Sequence, residues 1–591
     1  MSLTKNEFNL LYAIKKHGIQ SHRKLRDYAF VSTGYISEKL REFTAKGFVD
    51  KEAITEKGLN ELLPYKVDNA VIMAAGLSSR FVPLSLEKPK GLLIVKNEIL
   101  IERQIEQLQE AGIKNIILIL GYKKEAFFYL ESKYENLKII INPEYNKKNN
   151  TYTLFLAKND IKNSYICSSD DYFEDNPFEE YVYQSYYAAV HVNEKTNEWY
   201  MIPDEKGNIL RVEKSGFEGD IMLGHAYWDR YFSSAIMKII SESQSTGIYD
   251  QNLWEQVLAD NVKKLPPMEI RVYPQNTIFE FDSLDDLRSF DNNYVEHTHS
   301  KIIKNITHFF SCSESNIAHF QIIKDGLTNT TLLFEIDGKK YVYRHPKERS
   351  EEQISPKQEK KALEIAKEIG IDNTCLYIDE QTGWKISNYV EKTRMPDYGN
   401  FEDSKRIAAV LQKLHQNNFS ADWSFHPWEE ACKLENKLRS EKGGIFDQGF
   451  ELLKDNVRKC YQECEKDGIP HVFCHCDTYA QNWMLKEDGS TFLIDWEYAA
   501  NADPGCDVGS YIMDSRWTIE EAKIFIQEYL GEKYNKNLLF HYLGYTAVVS
   551  FYWYVWALHR EACGVIMGDS LYNWRSMAFR YSKELVEKNN L

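Results

Sequence analysis

Apolar residues near the amino terminus recur at the spacing of short amphipathic helices. They are Phe8, Leu11, Leu25, Ile36, Leu40 and Phe43. The segments 47–50 and 54–58 that follow combine glycine with short apolar runs, which is typical of a small hairpin. Residues 1–66 are therefore predicted to fold as helix, turn, helix and wing.

Beyond Asp68 the hydrophobic pattern changes to short apolar runs of strand length. Such runs occupy residues 70–75, 116–120, 139–141 and 165–167, while residues 99–111 have the spacing of an amphipathic helix. Strands that alternate with helices predict a mostly parallel sheet with helices on both faces. Residues 67–292 are predicted to form one such Rossmann-like domain.

A polar stretch at residues 293–305 is predicted to be a linker. After it, residues 331–336 and 340–344 predict strands, residues 359–369 predict a helix, and the second half is mainly helical. Residues 306–591 are thus predicted to form a separate two-lobed α+β domain. The fold class predicted for the whole chain is multidomain α/β and α+β.

Composition limits the function classes. A length of 591 residues predicts two or three cores, and a net charge of -16 argues against nucleic acid as the main partner. The ten cysteines form no disulfide framework and residues 1–16 lack the pattern of a secretory signal, so we expect a cytoplasmic protein. Residues 543–558 are apolar but short and rich in Tyr and Trp, which favours a buried helix without membrane contact.

The first 66 residues resemble the winged helix-turn-helix of bacterial regulators. In that family the second helix, here around residues 32–37, enters the major groove, and Lys39 and Arg41 would contact DNA. A small docking or dimerisation module explains the same pattern equally well. DNA or protein contact through this domain, and an oligomer, therefore stay open.

A small-residue loop with cations follows the first predicted strand. Residues 74–80 read AAGLSSR, and Lys90 follows a proline ten residues later. Glycine and serine let backbone N–H groups approach phosphates, and Arg80 and Lys90 can neutralise a triphosphate as pyrophosphate leaves. The nucleotide-binding residues suggested by this loop are Ala75, Gly76, Ser78, Arg80 and Lys90.

This loop and later blocks resemble the sugar-nucleotide pyrophosphorylase type of nucleotidyltransferase, and within it the bacterial CTP:phosphocholine cytidylyltransferases. The blocks are residues 149–154, 165–172, 196–199, 223–229 and 277–283. The resemblance implies CTP as substrate, Asn150 at the nucleotide, and Asp170 and Asp282 as ligands of Mg²⁺, each at the end of a strand-like run. Ser78 stands where many members of the wider superfamily have a second glycine.

A quaternary ammonium offers no N–H, so aromatic faces and carboxylates must bind it. Several such residues lie between positions 199 and 255. By analogy with the family we favour Trp199, Tyr249 and Asp250 over Tyr227, Trp228, Trp254 and Glu255.

A second chemical motif lies near the carboxyl terminus. His475, Asp477 and Asn482 are followed by Asp495 at the end of a strand-like run. This spacing is that of the kinase catalytic loop, in which Asp477 would accept the substrate hydroxyl proton, Asn482 and Asp495 would hold Mg²⁺, and His475 would brace the loop.

The surrounding residues resemble choline kinases and aminoglycoside phosphotransferases. Residues 326–329 are similar to the turn that covers ATP and include Asn329, Arg344 replaces the strand lysine of protein kinases, and Glu359 is its expected partner. Residues 387–390 correspond to the hinge. Thr478 and Cys476 depart from the commoner motif without removing a reacting group. For the ammonium of choline, Trp553 and Trp556 lie three residues apart on one helix, Tyr511 joins them, and Glu497 supplies charge.

Together these patterns predict an enzyme that phosphorylates choline with ATP and then transfers CMP from CTP to phosphocholine, giving CDP-choline and pyrophosphate. The resemblance implies that the product serves phosphocholine decoration of surface polymers. The alternatives are the same reactions on ethanolamine or a related amino alcohol, and a DNA-binding regulator that senses choline metabolites.

Overall fold

The computed structural model describes residues 3–326, 328–347, 355–441 and 443–589. The chain divides into two compact units, residues 1–316 and 317–591. The first unit contains both the amino-terminal helices and the predicted nucleotidyltransferase domain. The second contains the predicted kinase domain.

Four helices open the first unit, and each begins at a Ser or Thr side chain that accepts a backbone N–H. They are α1 Lys5–His17, α2 His22–Ala29, α3 Thr33–Ala45 and α4 Glu56–Leu62. The predicted hairpin is reduced to one antiparallel bridge between Val49 and Ile54, because Thr55 caps α4. The winged helix-turn-helix stays a prediction.

Helix α1 packs against the nucleotidyltransferase part of the same unit. Phe8 lies 5.5 Å from Tyr183 and Tyr12 lies 5.6 Å from Tyr181, measured between ring centroids. Lys15 forms an ion pair of 2.6 Å with Glu180. The amino-terminal helices therefore share an aromatic contact with the domain that follows them.

A nine-stranded sheet forms the centre of this unit, in the order β10-β9-β11-β6-β1-β4-β5, with β8 paired to β11 and β12 paired to β8. Strands β6, β1, β4 and β5 run parallel, as predicted, and β8 to β11 add antiparallel partners. The strands are β1 Asn69–Ala74, β2 Ile94–Val95, β3 Glu98–Ile99, β4 Ile116–Leu120, β5 Leu137–Ile141, β6 Ser164–Ser168, β7 Asp171–Phe173, β8 Tyr186–Val192, β9 Thr196–Pro203, β10 Ile209–Gly216, β11 Gly219–Trp228, β12 Glu269–Tyr273 and β13 Ile278–Glu280.

Helices cover both faces of the sheet. Alternate residues of β1 point to opposite faces, so that Ile72 packs with Ile105 while Val71 packs with Leu154 and Ile236. The helices are α5 Leu84–Glu87, α6 Leu100–Glu110, α7 Tyr129–Lys133, α8 Asn150–Leu156, α9 Arg230–Ser243, α10 Trp254–Asn261, α11 Leu284–Phe290, α12 Asn293–Glu296 and α13 Lys301–Phe310.

The predicted linker at residues 293–305 is corrected by two of these helices. Tyr294 in α12 is buried, and Ile302 and Ile303 in α13 are buried as well. Polar residues made this stretch resemble a linker, but Ser300 is the N-cap of α13 and Thr298 is buried beside it. The division between the two units falls after Asn316.

The second unit begins with a five-stranded antiparallel sheet in the order β14-β15-β16-β18-β17. The predicted strands at 331–336 and 340–344 and the predicted helix at 359–369 are confirmed. The strands are β14 Ile317–Asp325, β15 Asn329–Ile336, β16 Lys339–Pro346, β17 Cys375–Ile378, β18 Lys385–Asn388, β19 Thr393–Arg394, β20 Val472–Cys474, β21 Trp483–Lys486, β22 Thr491–Leu493 and β23 Ala500–Ala502.

The rest of the second unit is mainly helical. Its helices are α14 Pro356–Ile369, α15 Phe401–His415, α16 Pro427–Glu441, α17 Phe450–Lys466, α18 Gly505–Ser515, α19 Ile519–Leu530, α20 Lys536–Ala562 and α21 Asp569–Asn589. Residues His541 to Ala557 of α20 are all buried in the core, as the sequence predicted for this segment. Within the described residues no helix is long and apolar enough to cross a membrane.

Inside this core, His541 is an ion-pair partner of two carboxylates. Its Nδ1 lies 3.1 Å from Asp467 and its Nε2 lies 3.0 Å from Asp503. Burial alone would lower the pKa of His541, but the hydrogen bonds and charges of Asp503 and Asp467 outweigh it and raise the pKa above its usual value. The imidazole of His541 therefore links α20 to the loops that carry the two carboxylates.

His541→Gln is expected to destabilise the protein most at low pH. The charged histidine contributes fully below its unfolded-state pKa of about 6.5, and the contribution is lost as pH rises through the raised folded-state pKa. We expect the variant to lose about 3 kcal/mol in the free energy of unfolding at about pH 6 and less at about pH 9. Urea unfolding at both pH values measures this. The exposed His471→Gln is the control, and a loss that grows with pH would contradict the assignment.

Candidate active sites

The loop after β1 has the backbone that a phosphate-binding loop requires. It passes from Ala74 through Gly76 and Ser78 to Arg80. Ser78 adopts a left-handed backbone with a φ of 51°, the conformation that glycine adopts without steric cost. The loop therefore takes the turn that a second glycine would favour, although a serine stands there.

A cavity of about 830 Å³ adjoins this loop and gathers most of the residues predicted for the first site. Its lining includes Gly76, Ser78, Arg80, Lys90, Asn150, Asp170, Trp199 and Asp282. Ala75 lines a neighbouring cavity of about 340 Å³, which shares Gly76 and Asn150 with the first. Asn150 also accepts the backbone N–H of Trp254 at 2.7 Å, and so holds the start of α10.

Each predicted phosphate-binding cation of this cavity is paired with a predicted metal ligand. Lys90 lies 2.6 Å from Asp170, and Arg80 lies 2.9 Å from Asp282. Asp170 follows β6 of the main sheet, whereas Asp282 follows β13, which pairs with β7 in a separate two-stranded ribbon. The two carboxylates therefore reach the cavity from two different sheets.

The carboxylates of this cavity fit a divalent cation. Burial alone would raise the pKa of Asp170, but Lys90 outweighs it and holds the pKa below the usual range, while the other oxygen of Asp170 is buried without a partner among the described residues. Glu280, which the sequence analysis did not single out, lines the same cavity, and burial and the charge of Asp170 raise its pKa to about 8. Acidic oxygens that repel one another are stabilised by a hard cation such as Mg²⁺.

The predicted ammonium-binding residues of this domain separate in the structure. Trp199 lines the cavity, and Lys214 lies 4.8 Å from the centroid of its ring. Tyr249 and Asp250 are not among the lining residues. Tyr249 donates to Asp260 at 3.1 Å, and Asp250 pairs with Lys148 at 3.1 Å.

The correction has a local cause. Residues 249 and 250 belong to the loop before α10, and this loop bonds to residues 147–149. The residues that reach the cavity are Glu255, in the first turn of α10, Trp254, and Tyr187 on β8. Trp254 and Glu255 follow Tyr249 by only five and six residues, so the start of α10 decides which of these side chains faces the cavity.

In the second unit, the catalytic-loop residues lie within hydrogen-bonding distance of one another. The amide of Asn482 donates to a carboxylate oxygen of Asp477 at 3.0 Å, and His475 contacts the carbonyl of Ile494 at 2.9 Å. Burial and the charges of Asp495 and Glu497 raise the pKa of Asp477 to about 8, and its second oxygen is buried without a partner among the described residues. Asn482 and Asp495 thus offer oxygen ligands that fit Mg²⁺ beside Asp477.

A residue that the sequence analysis missed holds this loop in place. Asp507, buried in α18, accepts the backbone N–H of His475 at 2.9 Å and of Cys476 at 2.6 Å. The hydroxyl of Thr478 donates to the carbonyl of Asp507 at 2.6 Å. The unusual Thr478 therefore anchors the loop. The carboxylate of Asp507 also lies 2.9 Å from His415, in addition to the two backbone N–H groups.

The predicted nucleotide-side residues form a buried ion-pair network. Arg344 lies 2.6 Å from Glu359, as expected, and 3.1 Å from Asp495. Asn329 donates to Glu497 at 3.1 Å, and Arg344 lies 3.7 Å from the same carboxylate. Glu497, predicted to face the ammonium, therefore bonds to the residues on the nucleotide side. Of the covering turn at 326–329, Leu327 lies outside the described residues.

Five aromatic rings cluster beside the catalytic loop, with neighbouring centroids between 5.4 and 6.4 Å apart. They are the predicted Trp553 and Trp556 together with Tyr479, Tyr498 and Trp574. The indole nitrogens of the two predicted residues are buried without partners among the described residues. Burial and the charges of Asp477 and Asp514 raise the pKa of Tyr479, which places two carboxylates near this cluster.

Tyr511 does not belong to that cluster. Its ring packs with Tyr398, Trp517 and Phe525 at 4.9 to 5.7 Å. Because it lies on α18 among core residues and is fully buried, it supports the fold. The prediction that it joins the two tryptophans is therefore wrong.

One predicted DNA contact in the amino-terminal helices is engaged in ion pairs within the domain. Lys39 forms ion pairs with Glu7 at 2.8 Å and with Glu42 at 2.6 Å, while Arg41 is exposed. The positive charge of Lys39 is neutralised within the domain.

Comparisons with known proteins assign the two units to different families. Residues 69–197 match the family model described as nucleotidyl transferase, and residues 319–540 match the phosphotransferase enzyme family. The chain is 34% identical over 222 residues to the choline-phosphate cytidylyltransferase of Streptococcus pneumoniae, which covers 38% of this chain and 96% of that relative.

The second unit has relatives of its own. The chain is 25% identical over 274 residues to protein LicA of Haemophilus influenzae, which covers 44% of this chain and 79% of that relative. It is 24% identical to the solved choline kinase LicA of Streptococcus pneumoniae, with a TM-score of 0.42, over 48% of this chain and 100% of that one. The chain belongs to the nucleotidyl transferase family, as a relative of the choline-phosphate cytidylyltransferases, and carries a phosphotransferase-family domain after it.

Proposed function

We propose that this chain phosphorylates choline with ATP in its second unit and transfers CMP from CTP to phosphocholine in its first. The products are phosphocholine and ADP, then CDP-choline and pyrophosphate. The observation that carries the proposal is that one chain contains two sites for phosphorus chemistry, each beside aromatic rings and carboxylates suited to an ammonium.

In the kinase unit, Asp477 accepts the proton of the choline hydroxyl as that oxygen attacks the γ-phosphorus of ATP. Arg344, held by Glu359, neutralises phosphate charge, and Asn482 fixes the orientation of the Asp477 carboxylate. Asp507 holds the backbone of the loop. The rings around Trp553 and Trp556 exclude water and present π faces to the trimethylammonium group.

In the transferase unit, the phosphate oxygen of phosphocholine attacks the α-phosphorus of CTP, and the bond to pyrophosphate breaks. Arg80 and Lys90 neutralise the charge of the leaving pyrophosphate, and the backbone of residues 75–78 approaches the phosphates. Asp170 and Asp282 would hold Mg²⁺ here, as Asn482 and Asp495 would in the kinase. When bound, such an ion would screen phosphate charge at each site and help to align the in-line attack.

Incubation of the full chain with ATP, CTP, Mg²⁺ and either choline or ethanolamine tests the proposal. We expect mass-resolved products to include phosphocholine, which requires ATP, and CDP-choline, which requires both ATP and CTP when choline is the starting compound. Efficient conversion of ethanolamine without conversion of choline would overturn the choice of substrate. No phosphorylated product from either amino alcohol would overturn the proposed function.

A further inference from the structure

A cavity of about 230 Å³ in the second unit takes no part in either proposed reaction. It is bounded by the first turn of α14, the first turn of α16 with the loop before it, and the turn that follows Asp495. Neither the catalytic Asp477 nor Trp553 is among the described residues that line it. The cavity is therefore separate from the pocket in which choline meets Asp477. The lining residues that matter below are Gln358, Trp423, Phe425, Glu430, Glu497 and Tyr498.

Fixed aromatic rings form part of the cavity wall. Trp423 donates its Nε1 hydrogen to the carbonyl of Ala499 at 2.8 Å, and the ring centroid of Phe425 lies 5.1 Å from that of Tyr552. A π face held in place beside a carboxylate binds an organic ammonium. Because pockets for drug-sized ligands begin at roughly 300 Å³, this cavity is limited to a small molecule.

A carboxylate of the same cavity can exchange its cation. Glu430 pairs with Lys433 at 2.7 Å, and the Lys433 side chain is 64% exposed. An exposed pair of this kind contributes little to stability, so an ammonium bound in the cavity can replace the lysine. Gln358 adds a side-chain amide, which is a hydrogen-bonding partner for a hydroxyl. A small molecule with an ammonium and a hydroxyl matches these groups.

Two lining residues connect the cavity to the nucleotide side of the kinase. Gln358 directly precedes Glu359, which lies 2.6 Å from Arg344. Glu497 accepts a hydrogen bond from Asn329 at 3.1 Å and lies 3.7 Å from Arg344. A positive charge in the cavity would offset the charge of Glu497, which repels the phosphates of ATP. An ammonium bound there should therefore tighten the binding of ATP.

We propose that this cavity is a second binding site for a small amino alcohol, and that its occupant raises the affinity of the kinase unit for ATP. The ammonium faces Trp423, Tyr498 and Glu430, and the hydroxyl faces Gln358. The inference goes beyond the proposed function, because no phosphoryl transfer takes place in this cavity.

The test measures the dissociation constant of the full chain for β,γ-imido-ATP with Mg²⁺, by calorimetry, at rising choline concentration and constant ionic strength. This analogue does not donate its terminal phosphate, so choline is not consumed. We expect the dissociation constant to fall about threefold in a phase that begins only at choline concentrations well above the KM for phosphorylation. The neutral analogue 3,3-dimethyl-1-butanol, in which carbon replaces the cationic nitrogen, should not produce this phase.

Two variants of the cavity and one control identify the site. Glu430→Gln should raise the choline concentration at the midpoint of the phase about fivefold, and Trp423→Leu should abolish the phase. Glu429→Gln, an exposed change on the same helix, should behave as the wild type. The KM for choline in phosphorylation should be the same in all three.

Absence of the second phase in the wild type, or an unchanged midpoint in both cavity variants, would overturn the inference. A chain that shows the phase but phosphorylates no amino alcohol would overturn the proposed function and leave the second site standing. A chain that does not bind the ATP analogue at all would overturn both.

Discussion

Asp477→Asn is expected to lower the kcat for choline phosphorylation by about a thousandfold and to leave transfer of CMP to supplied phosphocholine unchanged. The amide cannot accept the hydroxyl proton, whereas its size and its contact with Asn482 are preserved. The measurement is the initial rate of each reaction, with choline and ATP in one assay and phosphocholine and CTP in the other.

Asp488→Asn is the matched control for this change. Asp488 is an exposed carboxylate on the hairpin that follows the catalytic loop, and it lies outside the residues assigned to the site. Both rates should match those of the wild type in this variant. A kinase rate in Asp477→Asn within tenfold of the wild type would remove Asp477 as the base.

Asp170→Asn should produce the opposite result. Lys90 loses the carboxylate that lies 2.6 Å away, and the cavity loses the buried oxygen that has no protein partner among the described residues. We expect transfer of CMP to phosphocholine to fall by about a thousandfold, the scale of losing one group that stabilises the transition state. Choline phosphorylation should continue at the wild-type rate.

The exposed Asp175→Asn, a few residues further along the same domain, is the control for the second change. Circular dichroism and the surviving kinase activity report whether the variant is folded. Loss of both reactions in a folded Asp170→Asn protein would contradict the assignment of one reaction to each site.

Elements and residue pairs that lie close together in the sequence were predictable from it. The run at 70–75 forms β1, and Asp477 and Asn482 lie five residues apart in one loop, so local spacing was enough to place them together. The pair of Arg344 with Glu359 was expected from the resemblance to choline kinases and is present in the structure.

Groups that meet through the tertiary fold were not predictable in this way. Tyr479 and Tyr498 approach Trp553 only because α20 packs beside the catalytic loop, and no local pattern indicates that contact. Glu255 differs from Asp250 by five positions, and which one faces the cavity depends on where α10 begins. Residues 293–305 were too polar to suggest helices, and one of these polar residues, Ser300, is the N-cap of α13.

The aromatic contact of α1 affects how this protein can be shortened. A fragment beginning at residue 67 would keep every strand of the nine-stranded sheet but would expose Tyr181 and Tyr183 to water. It would also leave Glu180 without Lys15 and Lys66, its two partners. The first 66 residues thus bury aromatic side chains on the surface of the transferase part. A fragment whose boundary is chosen by family resemblance alone would disrupt this interface.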